Sequence, residues 1–396
     1  YGEISSPVAA KTLLLLCHYD VVSPGPLENW AQPPFEPVIR ENRIWGRGAG
    51  DDKGQLLACL KAVEAWKVVH GGLPVNVRLV FLGDEETGSI SLPQAAEKYR
   101  DLFSADAVLF TDASTLDVWG PVIYLANRGV LAFELVARGA ERPAHSGSYG
   151  ALLRNPAVRL AQAIASMRDP QGRILIRGFY EGLRPIGEME RYLLDRLSLD
   201  APQKLDSLGA TEFWGDPGYS YFETQMYRPT LNVHGLTAGY QGSGWMAMVP
   251  SIARAKLDIN LVPDLDPDDL KRKVQAHLAE HGFTDVELVE VAREPYASEA
   301  RLDDPFLQVV SAALQRVWGK PPVLYPSIGG GGGLVKAFKE QIGIPNFLMV
   351  PLGQPDMNEH SPHESLDIDW FIQGIKVVAA VIDGFAGEVE PSGRPI

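Results

Sequence analysis

Cysteine is nearly missing from this chain: Cys17 and Cys59 are the only two in 396 residues. Two thiols cannot staple a disulfide-built scaffold, and their scarcity fits a reducing compartment, so the expected location is the cytoplasm. Tyr1 is not a native start, which leaves a lost leader open. No apolar run reaches the roughly 20 residues of a membrane span. A basic excess is missing too. The formal net charge is −14, which argues against a nucleic-acid or anionic-membrane partner. There is no internal repeat and no low-complexity linker. What is present is a globular composition, 45% hydrophobic, on a chain too long for one ordinary core, so two domains are expected.

The apolar residues gather in short continuous runs, and each run ends in an acid or an imidazole. Residues 77–82 form one, of the kind a strand buried on both faces shows, and it breaks at Gly83 into Asp84, Glu85 and Glu86. Neighbouring carboxylates repel, and burying one uncompensated costs several kcal/mol or forces it to take up a proton. A cation relieves both problems; a solvated acidic loop is the plain alternative for this stretch alone. Four leucines, 13–16, lead to His18 and Asp20. In such an H-x-D the carboxylate can accept from one imidazole nitrogen while the other binds metal. Residues 105–111 end at Asp112, and a run over 345–350 is followed by Asn358, Glu359, His360, Ser361, Pro362, His363 and Glu364. Four predicted parallel strands thus deliver acids and imidazoles at their carboxyl ends, the edge where open α/β sheets build their sites.

Between the first two strands lies a glycine-rich turn, 46–54, that carries Asp51 and Asp52 into a predicted helix over 55–69. Its apolar spacing is Leu56, Leu57, Leu60 and Val63. The turn lacks the spacing of a phosphate loop. Both aspartates stand near the positive end of the helix dipole, where capping is the simplest role. Pooled, two histidines and several carboxylates suit zinc or manganese better than calcium or a sulfur cluster.

From about residue 128 the pattern changes to alternation. Strands are expected over 130–138, 253–262 and 286–291, with helices over 155–167 and 267–281. His145, in His145-Ser146-Gly147, falls in a turn of this part. His277 and His281 share a helix face with Gln, Glu and Lys for company and read as solvated, and His70 closes a helix. The fold class is α/β: a mostly parallel sheet flanked by helices, in segments 1–127 and 295–396, with an α+β domain inserted at 128–294.

The ordered set H-x-D, G-x-G-D-D-K-G, D-E-E-T-G-S, strand-end Asp and N-E-H-S-P-x-E resembles the co-catalytic zinc aminopeptidase/carboxypeptidase family. That family includes carboxypeptidase G, aminoacylase, succinyl-diaminopimelate desuccinylase and the carnosinase-type dipeptidases, and the likeness spans nearly the whole chain. It implies two divalent ions, zinc first, with manganese or cobalt as alternatives. By the same likeness Asp51 bridges the ions, His18 and Asp112 complete one site, and Glu86 and His360 the other. Glu85 becomes the general base, Asp20 orients His18, and the Asp51–Asp52 peptide is cis. The inserted domain becomes a lid and dimerisation domain, with His145 reaching the partner subunit's active site in a homodimer. The implied activity is hydrolysis of an amide bond (peptide, N-acyl or related C–N) in a small-molecule substrate. The alternatives are a dipeptidase or carboxypeptidase on short peptides, or a catalytically weak binding relative.

Two departures from the family bear on the substrate. An arginine common in the lid strand, in the pattern R-L-V-P, is replaced by Asn260. Where a Lys-Thr pair is frequent, the chain has Trp245, Met246, Ala247 and Met248. A neutral amide beside large apolar side chains therefore stands in for a bidentate guanidinium, so a free α-carboxylate is not expected to be gripped in the usual place. Gly330 and Gly331, in a run of five glycines, would let a backbone loop approach a ligand closely. Asn260, Trp245, Gly330 and Gly331 are the expected substrate contacts.

Overall fold

The structure is a computed structural model that describes residues 1–215, 218–294, 300–329 and 332–387. Two compact units divide the chain: Tyr1–Asn127, Tyr192–Leu199 and Ser298–Ile396 form the first, and Arg128–Arg191 with Asp200–Ala297 the second.

The first unit is built on a seven-stranded sheet. Its strands run in the spatial order Gly2–Ile4, Asn76–Leu82, Thr12–His18, Ala107–Phe110, Phe347–Met349, Val122–Tyr124, Val323–Tyr325. The four acid-tipped strands are mutually parallel in this sheet, while Gly2–Ile4 pairs antiparallel at one edge. Leu13, Leu14, Leu15 and Leu16 are all fully buried, which is why that strand reads as an unbroken apolar run. Helices Gln55–His70, Pro305–Trp318 and Ile368–Ala386 supply the rest of one continuous core, including Ala62, Val310 and Val378. Leu193 belongs to it as well, which draws Tyr192–Leu199 into this unit.

Register sets the heights of the side chains at the sheet's carboxyl edge. His18 lies opposite Leu82, Leu16 opposite Phe110, and Leu348 opposite Leu109. The residues just beyond Leu82 and Phe110 therefore emerge at the same edge of the sheet as His18.

The second unit has a four-stranded antiparallel sheet in the order Asn232–Ala238, Ile252–Asn260, Val130–Arg138, Val286–Glu294. Leu131, Phe133, Leu135, Leu257 and Ile259 point into its core and pack with Leu160 of helix Pro156–Ser166 and Val274 of helix Pro267–Glu280. Both helices begin with an Asx cap followed by proline: Asn155 accepts from the Ala157 amide and Asp266 from the Asp268 amide. Helix Pro267–Glu280 overturns one expectation. His277 is buried, 3% exposed, with Nε2 3.0 Å from Ser166 Oγ and its ring stacked 4.0 Å from that of His281. The helix is polar on its outer face, but His277 falls on the inner face with Leu270, Val274 and Leu278.

No helix among the described residues is long and apolar enough to cross a membrane. Leu15→Ala should destabilise the protein by about 2–5 kcal/mol, the cost of a cavity in a close-packed interior. A urea unfolding midpoint matching the parent's would show that the strand is not the rigid base of the sheet.

Candidate metal centre

Asp51 stands at the middle of this site because the turn before helix Gln55–His70 holds it there. Asp51 has extended backbone angles (φ −118°, ψ 94°) within the tight turn Ala49–Gly54, and the Asp51–Asp52 peptide is cis. At Gly54 a Cβ would lie 2.2 Å from the Leu366 side chain and 2.3 Å from the Ala49 carbonyl, so only glycine closes this turn. Glu364, fully buried, grips the turn from the far end of the chain. One of its oxygens accepts from the amides of Gly50 (2.9 Å) and Asp51 (3.0 Å). The other accepts from Gly48 N (3.0 Å) and Arg47 Nη1 (2.7 Å). Neither aspartate caps the helix, contrary to the simplest reading of the sequence. Asp52 instead accepts from the His18 amide at 3.0 Å.

Held this way, the Asp51 carboxylate faces two imidazoles. Its Oδ1 is 2.9 Å from His18 Nε2, and its Oδ2 is 3.1 Å from His360 Nε2. His18 Nε2 is also 3.6 Å from Asp112 Oδ1, and His360 Nε2 is 3.0 Å from Glu86 Oε2. His18, Asp51 and Asp112 thus form one group, and Asp51, Glu86 and His360 another. In each group the potential ligand atoms lie within 4.8 Å of one another. His360 has φ +57°, a left-handed conformation that costs a non-glycine residue of order 1–3 kcal/mol and clusters at functional sites.

Asp20 ties His18 to the acidic turn. Its Oδ1 lies 3.4 Å from His18 Nδ1, and its two oxygens accept from the amides of Glu85 (3.2 Å) and Glu86 (3.0 Å). One carboxylate therefore orients an imidazole and fixes the backbone that aims two others.

The electrostatics are those of a site with surplus negative charge. Burial would drive the His18 imidazole toward neutrality, but its hydrogen bonds to Asp112 and Asp51 win, and its proton is held far more tightly than usual. Hydrogen bonds to Asp51 and Glu86 raise His360 to about 10. Burial and the Asp112 charge push Glu85 up to about 8, and burial with Asp51 and Asp112 lifts Glu359 to about 7. Divalent cations would neutralise this cluster. The donor set, nitrogens and carboxylate oxygens with Asp51 facing both groups, fits them chemically.

Of the other sequence-named residues, His145, Trp245 and Asn260 lie in the second unit and His363 in the first. His145 is exposed, on a two-residue strand whose register partner is Met248. Trp245 is 84% exposed. Asn260 ends the strand Ile252–Asn260 and donates through Nδ2 to Asp258 Oδ2 at 2.7 Å. Gly330 and Gly331 fall outside the described residues. His363 stands edge-on to Trp30, ring centroids 6.0 Å apart. Sequence reasoning quoted Glu364 and Glu359 only as letters of a motif. Spacing from His360 was their one available signal, and it could not reveal that Glu364 binds a turn more than 300 residues earlier.

A family model described as peptidase family M20/M25/M40 matches residues 14–384. The Cys-Gly metallodipeptidase DUG1 of Saccharomyces cerevisiae is 29% identical over 399 residues, covering 98% of this chain and 82% of that protein. The Beta-Ala-His dipeptidase of Homo sapiens is 27% identical over 385 residues, covering 96% of this chain and 76% of that protein. The crystal structure of an M20 family metallo-carboxypeptidase from Sulfolobus solfataricus superposes with a TM-score of 0.86 at 32% identity, over 97% of this chain and 87% of that one. The chain belongs to peptidase family M20/M25/M40 and is a metal-dependent hydrolase of C–N bonds.

Proposed function

We propose that the protein is a dipeptidase-like hydrolase whose His18, Asp51, Glu86, Asp112 and His360 hold two divalent cations, zinc first and manganese or cobalt as alternatives. The observation that carries this reading is the pair of ligand groups sharing Asp51, with Glu85 immediately beside Glu86 and outside both groups. When bound, the cations supply Lewis-acid polarisation of a carbonyl and acidify water. Glu85 takes a proton from the attacking water and passes it to the departing nitrogen. Asp20 keeps the pieces in step by holding His18 and the amides of Glu85 and Glu86. A silent binding relative is the weaker reading, because every residue proposed as a ligand or as the base is present in the chain.

The dipeptide preference is drawn from the yeast and human relatives, a Cys-Gly metallodipeptidase and a Beta-Ala-His dipeptidase. Asn260, Trp245, Gly330 and Gly331 are the proposed substrate contacts. The protein is further proposed to act as a homodimer, in which His145 serves the active site of the partner subunit. Its exposure on the second unit supports this reading.

Glu85→Gln should retain bound metal but lose about 10²–10⁴-fold in kcat, the usual worth of a general base. Metal analysis should find two ions per chain in parent and variant alike. Near-parent turnover by a fully loaded Glu85→Gln protein would remove Glu85 from the mechanism. Mixing Glu85→Gln with His145→Ala should regenerate part of the activity, because each heterodimer then holds one complete site. Dimer exchange confirmed by mass with no recovery would count against service in trans.

A further inference from the structure

The second unit contains a cavity of about 400 Å³, within the ~300–1,000 Å³ range of small-molecule sites. Its walls include Asp258, Asn260, Arg168, Arg228, Tyr180 and Trp214, none of them among the proposed metal ligands. Asp258 and Asn260 lie two apart on one strand, on the face opposite the buried Leu257 and Ile259.

Asp258 is an unusual wall residue. Its side chain is only 14% exposed, yet its hydrogen-bond donors are the neutral amides Asn260 Nδ2 (2.7 Å) and Asn232 Nδ2 (3.2 Å). Among the described residues no lysine or arginine pairs with it, and its one basic neighbour is His234 Nδ1 at 3.9 Å. A largely desolvated carboxylate served by neutral donors gains most from a charged one, because charge-assisted hydrogen bonds are roughly twice as strong. A ligand ammonium is such a donor.

The rest of the wall carries positive charge and ring surfaces. Arg228 lies over two phenol rings, 4.3 Å from the Tyr180 centroid and 4.1 Å from that of Tyr219. These ring contacts hold the guanidinium at the cavity wall, and a guanidinium is the side chain best matched to a carboxylate. Arg168 lies over Trp214 at 4.9 Å and donates to the carbonyls of Gly172 and Leu231. Gly172, at φ +92°, has the Trp214 ring 2.8 Å from where a Cβ would lie, so only glycine lets the indole seat there. Buried Arg128 holds the wall together by donating to the carbonyls of Arg228 (2.7 Å) and Asn260 (3.1 Å).

We infer that this cavity binds a compact zwitterion of α-amino-acid type, its ammonium on Asp258, its carboxylate on Arg228 and its side chain against Tyr180 and Trp214. In this cavity the Asn260 amide steadies the Asp258 carboxylate. Ligands of this class are also the products of dipeptide hydrolysis. The binding site stands on the cavity's own residues and does not depend on the hydrolase reading.

The test is calorimetric titration of the full-length, metal-loaded protein with L-phenylalanine. The matched controls are 3-phenylpropanoate, which lacks the ammonium, and 2-phenylethylamine, which lacks the carboxylate. Phenylalanine should bind saturably and at least tenfold more tightly than either control. Asp258→Asn should weaken phenylalanine tenfold or more while leaving 3-phenylpropanoate unchanged. Arg228→Gln should weaken phenylalanine while leaving 2-phenylethylamine unchanged, and it decides the matter should Asp258→Asn misfold. Amino acid held only by the metal ions would bind both variants as it binds the parent, so unchanged affinity in the variants overturns the assignment. So does the absence of saturable phenylalanine binding.

Discussion

A carboxylate that must face two imidazoles at once cannot be left to find its own orientation. Asp51 meets His18 through one oxygen and His360 through the other, and both groups of potential ligands depend on that single side chain. The turn presenting it is therefore clamped from three directions. Glu364 collects four donors from it, the missing Cβ of Gly54 lets it close against Leu366, and the neighbouring Asp52 binds the His18 backbone. Charged donors and a buried acceptor make such a clamp stiff, since losing one partner would leave the other uncompensated in a low-dielectric interior.

The parallel sheet explains why so much like charge can be gathered without unfolding the unit. The cost of assembling acids falls on the carboxyl edge alone, while the strands behind it bury leucine, valine and phenylalanine completely. Each fully buried side chain of this kind contributes roughly 1.5–3 kcal/mol. His360, in its left-handed conformation, lies in the loop that follows the strand Phe347–Met349.

Much of this was legible in the sequence, for a physical reason. A strand buried on both faces has to be apolar throughout, so a sudden acid or imidazole marks its end and places that residue at the functional edge. The helix over Gln55–His70 and three strands of the inserted part were equally readable from their periods, while the edge strand Asn232–Ala238 was not. What could not be read is contact between distant segments. Glu364 binding residues 47–51 has no local signature. His277 was read as solvated because its own helix is polar, and the hydroxyl that receives it sits on another helix. Asn260 was visible as a replacement, but its engagement with Asp258 was not.

The position of the second unit within the chain has a consequence for biosynthesis. His18, Asp51, Glu86 and Asp112 all precede the stretch that forms most of that unit, and His360 and Glu364 follow it. At the ~5–20 residues per second of translation, roughly 10–50 seconds separate the emergence of Asp112 from that of His360. During that interval the nascent chain carries a nearly complete set of acids with neither the clamp on their turn nor the second imidazole. The two groups of potential ligands can therefore be completed only after His360 and Glu364 have been made.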